Sequence, residues 1–238
     1  MRVKVVPLPS KLHPQDLEEK VVVVLDVLRA TTSMAAALEA GVREIRVYPG
    51  VEAVREAKRQ MPAALACGEQ NCLKPQDFDL GNSPGDFAQR HRDKTLLMST
   101  TNGTKAILAA CGANRILTGA IVNARAVAEV IRQSQSDVTF LCAGTNGEAA
   151  PEDEIGAGAI LSYLDDVELF AGALEVRQAF LDAREGDLAA VLRSTAGGQN
   201  IIRANLAKDI DFAAQLDVFS AVGEVIDGEP IRIVRAGH

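Results

Sequence analysis

Five consecutive apolar residues, Val21-Val-Val-Val-Leu25, end abruptly on Asp26. β-Branched side chains in a row are stiff and suit a pleated strand, and a run without polar alternation marks a strand covered on both faces. Such a strand needs helices on each side, so this segment points to a layered α/β/α architecture. It also makes Asp26 unusual. A carboxylate at the end of a buried strand is costly unless it meets a cation or a metal.

The same rhythm of strand, loop and helix recurs along the chain. Thr31 or Thr32 can cap a helix running to about Ala40, which Gly41 ends. Strands are expected at 44–48, 63–67, 95–99, 115–117 and 138–142, with a last one at 231–234. Helices are expected at 51–60, 104–111, 123–133 and 151–164. Ser83-Pro84 offers a cap followed by proline in the first helical position, so a helix should start there. Beyond Asp165 the pattern is mostly helical, broken at Ala196-Gly-Gly198. This alternation predicts an α/β fold with a mixed, substantially parallel sheet. No repeat or low-complexity linker divides the 238 residues, which read as a single catalytic unit. A single boundary near 120–135 would give two subdomains, about 1–125 and 126–238, with the site between them.

Composition narrows the function. The chain carries 25 basic and 32 acidic residues, a net charge of −7, and only 4% aromatics. Nucleic acid and anionic membrane surfaces reward clustered Lys and Arg, so neither is an expected partner, and a metal-dependent nuclease is disfavoured. Pro7, Pro9 and Pro14 interrupt an N-terminal stretch with no apolar leader-like core, and Val21–Leu25 is far too short to span a bilayer. Cys67, Cys72, Cys111 and Cys142 form no CxxC pair, which suits reduced thiols, some of them buried, in a cytoplasmic protein. His13, His91 and His238 have no catalytic context. The last third reads as supporting structure, and a homodimer is the general expectation for an oligomer.

In open α/β sheets ligands collect beyond the carboxyl ends of strands, and four such loops carry unusual polar residues. Asp26-Val-Leu-Arg-Ala-Thr-Thr32 places Arg29, Thr31 and Thr32 at a helix N-terminus that favours an anion, or else uses Asp26 with Arg29 and Thr31 as a simple cap. The loop is not a haloacid-dehalogenase motif, because its second acid would fall on Leu28. Gly68-Glu69 opens a long irregular stretch that closes on Asn82-Ser83-Pro84. Ser99-Thr-Thr-Asn-Gly-Thr-Lys105 offers an oxyanion cradle from Thr101, Asn102, Gly103 and Thr104, with charge from Lys105; it lacks Walker A spacing, and Thr104 equally suits an N-cap. Cys142-Ala-Gly-Thr-Asn-Gly147 precedes Pro151-Glu-Asp-Glu154, three acids in a helix's first turn. Position 148 is Glu148, so Cys142 lacks the C-x₅-R loop of a phosphocysteine enzyme. Separate acids and hydroxyl or amide loops on successive strand ends point to Mg²⁺ plus an oxyanion, the equipment of phosphoryl chemistry.

Five ordered motifs carry a resemblance: Asp26-Val-Leu-Arg-Ala-Thr-Thr32, Gly68-Glu69, Phe78-Asp-Leu-Gly-Asn-Ser-Pro84, Thr100-Thr-Asn-Gly-Thr104, and Glu152-Asp153 followed by Ala157-Gly158. From about Val21 to Ile160, and more weakly over Ser194–Asp211, the chain resembles the 2-phosphosulfolactate phosphatase family. The chain departs from that pattern at Gln70 and Cys72, where family members often carry Arg and Gly. The resemblance implies the family's own α/β fold. It also implies Mg²⁺-dependent hydrolysis of 2-phospho-3-sulfolactate to 3-sulfolactate and phosphate, on the route to coenzyme M. On that reading Asp26, Glu69 and Asp153 surround Mg²⁺, and Asp26 is also the best nucleophile candidate. Arg29, Asn102 and Thr104 act on the phosphate alongside Asp26 and Glu69. Thr31, Thr32, Asn82, Ser83, Thr101, Gly103 and Lys105 complete substrate binding. The rival expectation is a non-catalytic binder of small phosphorylated or sulfonated acids.

Overall fold

The computed structural model describes residues 1–170 and 172–237; His238 therefore lies outside the described residues. In chain order, the first half contains β1 (Arg2–Val6), β2 (Val21–Leu25), α1 (Ala30–Glu39), β3 (Glu44–Val47), α2 (Val51–Gln60), β4 (Leu65–Gly68), β5 (Thr95–Ser99), α3 (Gly103–Ala110) and β6 (Arg115–Gly119). The second half contains α4 (Ala124–Ser134), β7 (Val138–Cys142), α5 (Pro151–Leu161), β8 (Glu168–Leu169) and α6 (Ala173–Glu185). It closes with α7 (Leu188–Ser194), α8 (Ala196–Arg203), α9 (Lys208–Ala213), β9 (Gly223–Ile226) and β10 (Ile231–Arg235).

The strands form one sheet in the order β4-β5-β3-β10-β9-β6-β2-β7-β1-β8. Two parallel blocks, β4-β5-β3 and β6-β2-β7-β1-β8, are joined by the antiparallel β9–β10 hairpin. The expected layered α/β fold is therefore present, and the hairpin is what makes the sheet mixed. All five residues of β2 are buried. Their alternation sends Val21, Val23 and Leu25 into one core, packed with residues of α4, α5 and α6. Val22 and Val24 point into the other, packed with residues of α1 and α3.

Three local expectations are corrected. Pro84 opens only a short 3₁₀ turn, Pro84–Asp86, because Phe87 leaves it in an extended conformation. Ala196-Gly-Gly198 is the first turn of α8, since Thr195 caps it by accepting a hydrogen bond at Oγ1 from Gly198 N at 3.1 Å. Neither Thr31 nor Thr32 caps α1, which starts one residue earlier, after Arg29. Strands β1, β8 and β9 are additions. β1 sits among prolines and follows Met1, and β8 has only two residues, so neither shows a run that stands out. All four cysteines are free, with Cys67 and Cys142 buried. Among the described residues no helix is long and apolar enough to cross a membrane.

Candidate active site

The turn after β2 is held by its own hydrogen bonds. Asp26 N donates to Thr31 Oγ1 at 3.1 Å, and Thr32 Oγ1 donates to the Val27 carbonyl at 2.7 Å. Both threonine hydroxyls are buried and shape the loop rather than face a ligand. The Asp26 carboxylate, also buried, accepts from Ala30 N at 3.2 Å. Burial pushes its carboxyl up to about 6, reinforced by the charges of Glu69 and Glu152 and opposed by the Ala30 N–H. Gly103 makes room for it: a Cβ there would stand 2.9 Å from Asp26 Oδ2 and 2.6 Å from Ala30 Cβ.

Glu69 and Asp153 work as pins between loops. Glu69 accepts from Thr101 N at 2.7 Å and Cys72 N at 2.8 Å, joining the segments that follow β4 and β5. Asp153 accepts from Val27 N at 2.8 Å and Gly144 N at 3.0 Å, joining the loops that follow β2 and β7. Burial, with Asp26 and Glu152 adding to it, drives the Asp153 carboxyl well above the usual range. Cys72 adopts φ 66°, in the left-handed region that favours glycine.

Glu152, read from sequence only as part of an acidic helix start, is the unexpected member. Its side chain is buried, and Oε2 has no hydrogen-bond partner. Oε1 accepts a long bond of 3.4 Å from Thr145 Oγ1 and presses on α8, where a Cβ on Gly197 would fall 1.8 Å away. The usable sequence signal was a pair: an acid in the first turn of α5 and the Gly197-Gly198 step that leaves space for it.

Arg29 is also buried, and its partners come from distant segments. Nη1 lies 2.5 Å from Asp209 Oδ2 and 3.2 Å from Ser83 Oγ, and Nη2 donates to the Cys72 carbonyl at 2.6 Å. Nε has no partner. The bland alternative of an Asp26–Arg29 cap therefore gives way to an Arg29–Asp209 pair. Ser83 donates to the same Asp209 oxygen at 2.8 Å instead of capping a helix.

Several of these groups line a cavity of about 380 Å³; Glu152 itself does not, and lies behind Thr145 and Gly197 of its wall. Of the expected site residues, Asp26, Arg29, Glu69, Asn82, Thr101 and Asn102 line it. Thr31, Thr32, Ser83, Gly103, Thr104, Lys105 and Asp153 do not. Thr104 is buried and exchanges hydrogen bonds with Thr100, and Lys105 is exposed on α3. The wall also includes Asn71, Cys72, Thr145 and Asn146 and, from α8, Gly197, Asn200, Ile201 and Arg203. The last third of the chain is thus part of the site and not only its support. β5 and β2 are five places apart in the sheet, a flat separation of roughly 24 Å at ~4.8 Å per strand, yet the segments after them meet, with a Cβ at Gly103 falling 2.9 Å from Asp26 Oδ2.

Could these residues hold a divalent cation? Among the described residues no three His, Cys, Asp or Glu side chains are gathered closely enough to hold a metal ion by themselves. Magnesium does not require that, since it keeps several waters and takes one or two carboxylates together with substrate phosphate oxygens. The donors here are hard oxygens, and buried Glu152 Oε2 and Asn82 Oδ1 have no partners. A cation would relieve the mutual repulsion of Asp26, Glu152 and Asp153, so the residues fit one. Glu152 is the carboxylate with an oxygen left without any partner, while each oxygen of Glu69 and of Asp153 accepts one main-chain N–H and keeps a lone pair for a cation.

Known proteins match over almost the whole chain. The profile of a family described as 2-phosphosulpholactate phosphatase matches residues 6–228. A Carboxydothermus hydrogenoformans protein is 38% identical over 227 residues, covering 94% of this chain and 93% of its own length. One from Pseudothermotoga lettingae is 35% identical over 215 residues, covering 90% and 93%. One from Deinococcus radiodurans is 34% identical over 238 residues, covering 97% and 96%. Each is named "Probable 2-phosphosulfolactate phosphatase". With the profile spanning nearly its full length, the chain belongs to the 2-phosphosulpholactate phosphatase family.

Proposed function

We propose that the protein is a Mg²⁺-dependent phosphomonoester hydrolase that converts 2-phospho-3-sulfolactate to 3-sulfolactate and inorganic phosphate, acting in the cytoplasm on the route to coenzyme M. Family membership supports the phosphatase reaction. The observation that carries the metal reading is the unpartnered, buried Glu152 Oε2 beside an Asp26 held among other acids. When bound, Mg²⁺ supplies charge neutralisation at the phosphoryl oxygens and lowers the pKa of coordinated water.

The chain's own residues do the rest. Asp26 and Glu152 hold the cation side of the site, and Glu69 and Asp153 fix the loops that carry them. Asn102, the Thr101 side chain and the unpartnered Nε of Arg29 are the donors available for phosphate oxygens and for the charge that grows on them. In the reaction the phosphorus–oxygen bond to C2 breaks, the phosphoryl group gains a hydroxyl from water, and the remaining water proton ends on the departing alkoxide. Asp26 stays the best nucleophile candidate should the phosphoryl group pass through the enzyme. The test is phosphate release from a panel of phosphohydroxy acids with Mg²⁺ and with EDTA. Release only with Mg²⁺, fastest on the sulfonated compound, is the expected result. Tight binding without release would instead identify a binding protein.

A further inference from the structure

The cavity that holds these acids must accept a substrate that is itself strongly negative. A cation at Asp26 and Glu152 answers the phosphate. It does nothing for acidic groups further along the molecule, and among the described residues the cavity wall offers two positive side chains, Arg29 and Arg203. Arg29 is already matched: it is buried against the Asp209 carboxylate at 2.5 Å and its other terminal nitrogen is on the Cys72 carbonyl. Arg203 is different. It stands exposed on the last turn of α8, and its one hydrogen bond is from Nη1 to the neutral Asn200 Oδ1 at 2.9 Å. Among the described residues no carboxylate pairs with it, although most of the chain's other interacting arginines have one.

We infer that Arg203 is a specificity-determining residue that binds a non-reacting acid group of the substrate, its carboxylate or its sulfonate, at the cavity mouth, with Asn200 orienting its guanidinium. The inference rests on the phosphatase reading and deepens it, since it names the residue that recognises one of the two acid groups the substrate carries besides its phosphate. A planar guanidinium presents paired N–H donors that match two oxygens of a carboxylate or sulfonate, geometry an ammonium group cannot reproduce. α8 is well placed for the task. Its first turn touches Glu152 through Gly197 and its last turn carries Arg203, so one rigid element spans the reacting and the recognising ends of the cavity.

The experiment compares wild type with Arg203→Gln and Arg203→Lys on three phosphomonoesters. These are 2-phospho-3-sulfolactate, 2-phospholactate (a carboxylate but no sulfonate) and glycerol 1-phosphate (no second acid). The ratio of kcat/KM on an acid-bearing ester to kcat/KM on glycerol 1-phosphate should fall about 10- to 100-fold in Arg203→Gln, the range of one charge-assisted contact, and recover partly in Arg203→Lys. A fall confined to the sulfonated ester identifies the sulfonate, and an equal fall on 2-phospholactate identifies the carboxylate. An unchanged ratio on both overturns the assignment. Calorimetric titration with 3-sulfolactate keeps the question separate from catalysis. Weaker binding to Arg203→Gln supports the subsite even if the wild type releases no phosphate, a result that would count only against the phosphatase reading. Equal or absent binding in both proteins overturns the subsite.

Discussion

Arg29 Nη1 and Asp209 Oδ2 lie 2.5 Å apart although 180 positions separate them in the chain. Their side chains are 2% and 9% exposed. This pair fastens α9 to the loop after β2, and so ties the C-terminal third to the residue next to the reacting groups. Removing one partner leaves an uncompensated buried charge, so Asp209→Ala should cost about 3–5 kcal/mol in urea unfolding. The double variant Arg29→Met/Asp209→Ala should recover part of that loss. Additive losses in the double-mutant cycle would show that the pair is not coupled.

Gly197 is needed for space rather than for backbone freedom. Adding a methyl group there puts it 1.8 Å from Glu152 Oε1, while nothing stands within 4 Å of a Cβ at Gly50. Gly197→Ala should destabilise the fold by about 1–3 kcal/mol, as overpacking does, and should displace Glu152. Gly50→Ala meets no atom and loses only the preference of glycine over alanine at the N-cap of α2, so it should cost less, at most about 1 kcal/mol, and leave Glu152 in place. Thermal melting of the two variants side by side decides it, and equal behaviour would remove the steric argument.

Asp16 gives a pH dependence away from the cavity. It accepts from Lys4 Nζ at 2.7 Å and His13 N at 3.0 Å, so it links β1 to the segment before β2. Burial alone would raise its carboxyl, but the Lys4 ammonium and the His13 N–H outweigh that and hold it below the usual value. Its stabilisation is therefore complete above the unfolded carboxylate value of about 3.9 and disappears as pH falls through the lower folded value. Asp16→Asn should cost about 1 kcal/mol near neutrality, because Lys4 is partly exposed. The gap between the two proteins should close in acid. A gap that stays constant from neutral to strongly acid pH contradicts this account.

Much of the architecture is legible in the chain because β2 is apolar throughout, and only a helix layer on each face satisfies it. Helix α2 is likewise readable at its exact bounds, Val51–Gln60. What escapes is what depends on distant partners. β9 has no local signature strong enough to announce that, with β10, it stitches two parallel blocks together. In the site, Asp26, Glu69 and Asn102 follow from their positions after strands, and each lines the cavity. Thr31, Thr32 and Thr104 look like ligands locally, but their hydroxyls bond within their own loops, as short hydroxyl side chains readily do. Glu152 and Asp209 acquire their meaning only when α8 and α9 fold back over the strand ends, and nothing within a few residues of either records that contact.

The central claim, magnesium-dependent hydrolysis built on Asp26, is met most directly by one assay. Phosphate and 3-sulfolactate are measured together from 2-phospho-3-sulfolactate, with Mg²⁺ and with EDTA, for wild type and Asp26→Asn. Wild type should release the two products in equal amounts with Mg²⁺ and neither with EDTA, and Asp26→Asn should fall by about 10³-fold or more, the scale of losing a principal electrostatic group. Near-normal Mg²⁺-dependent release by Asp26→Asn, or undiminished release by the wild type in EDTA, would contradict it.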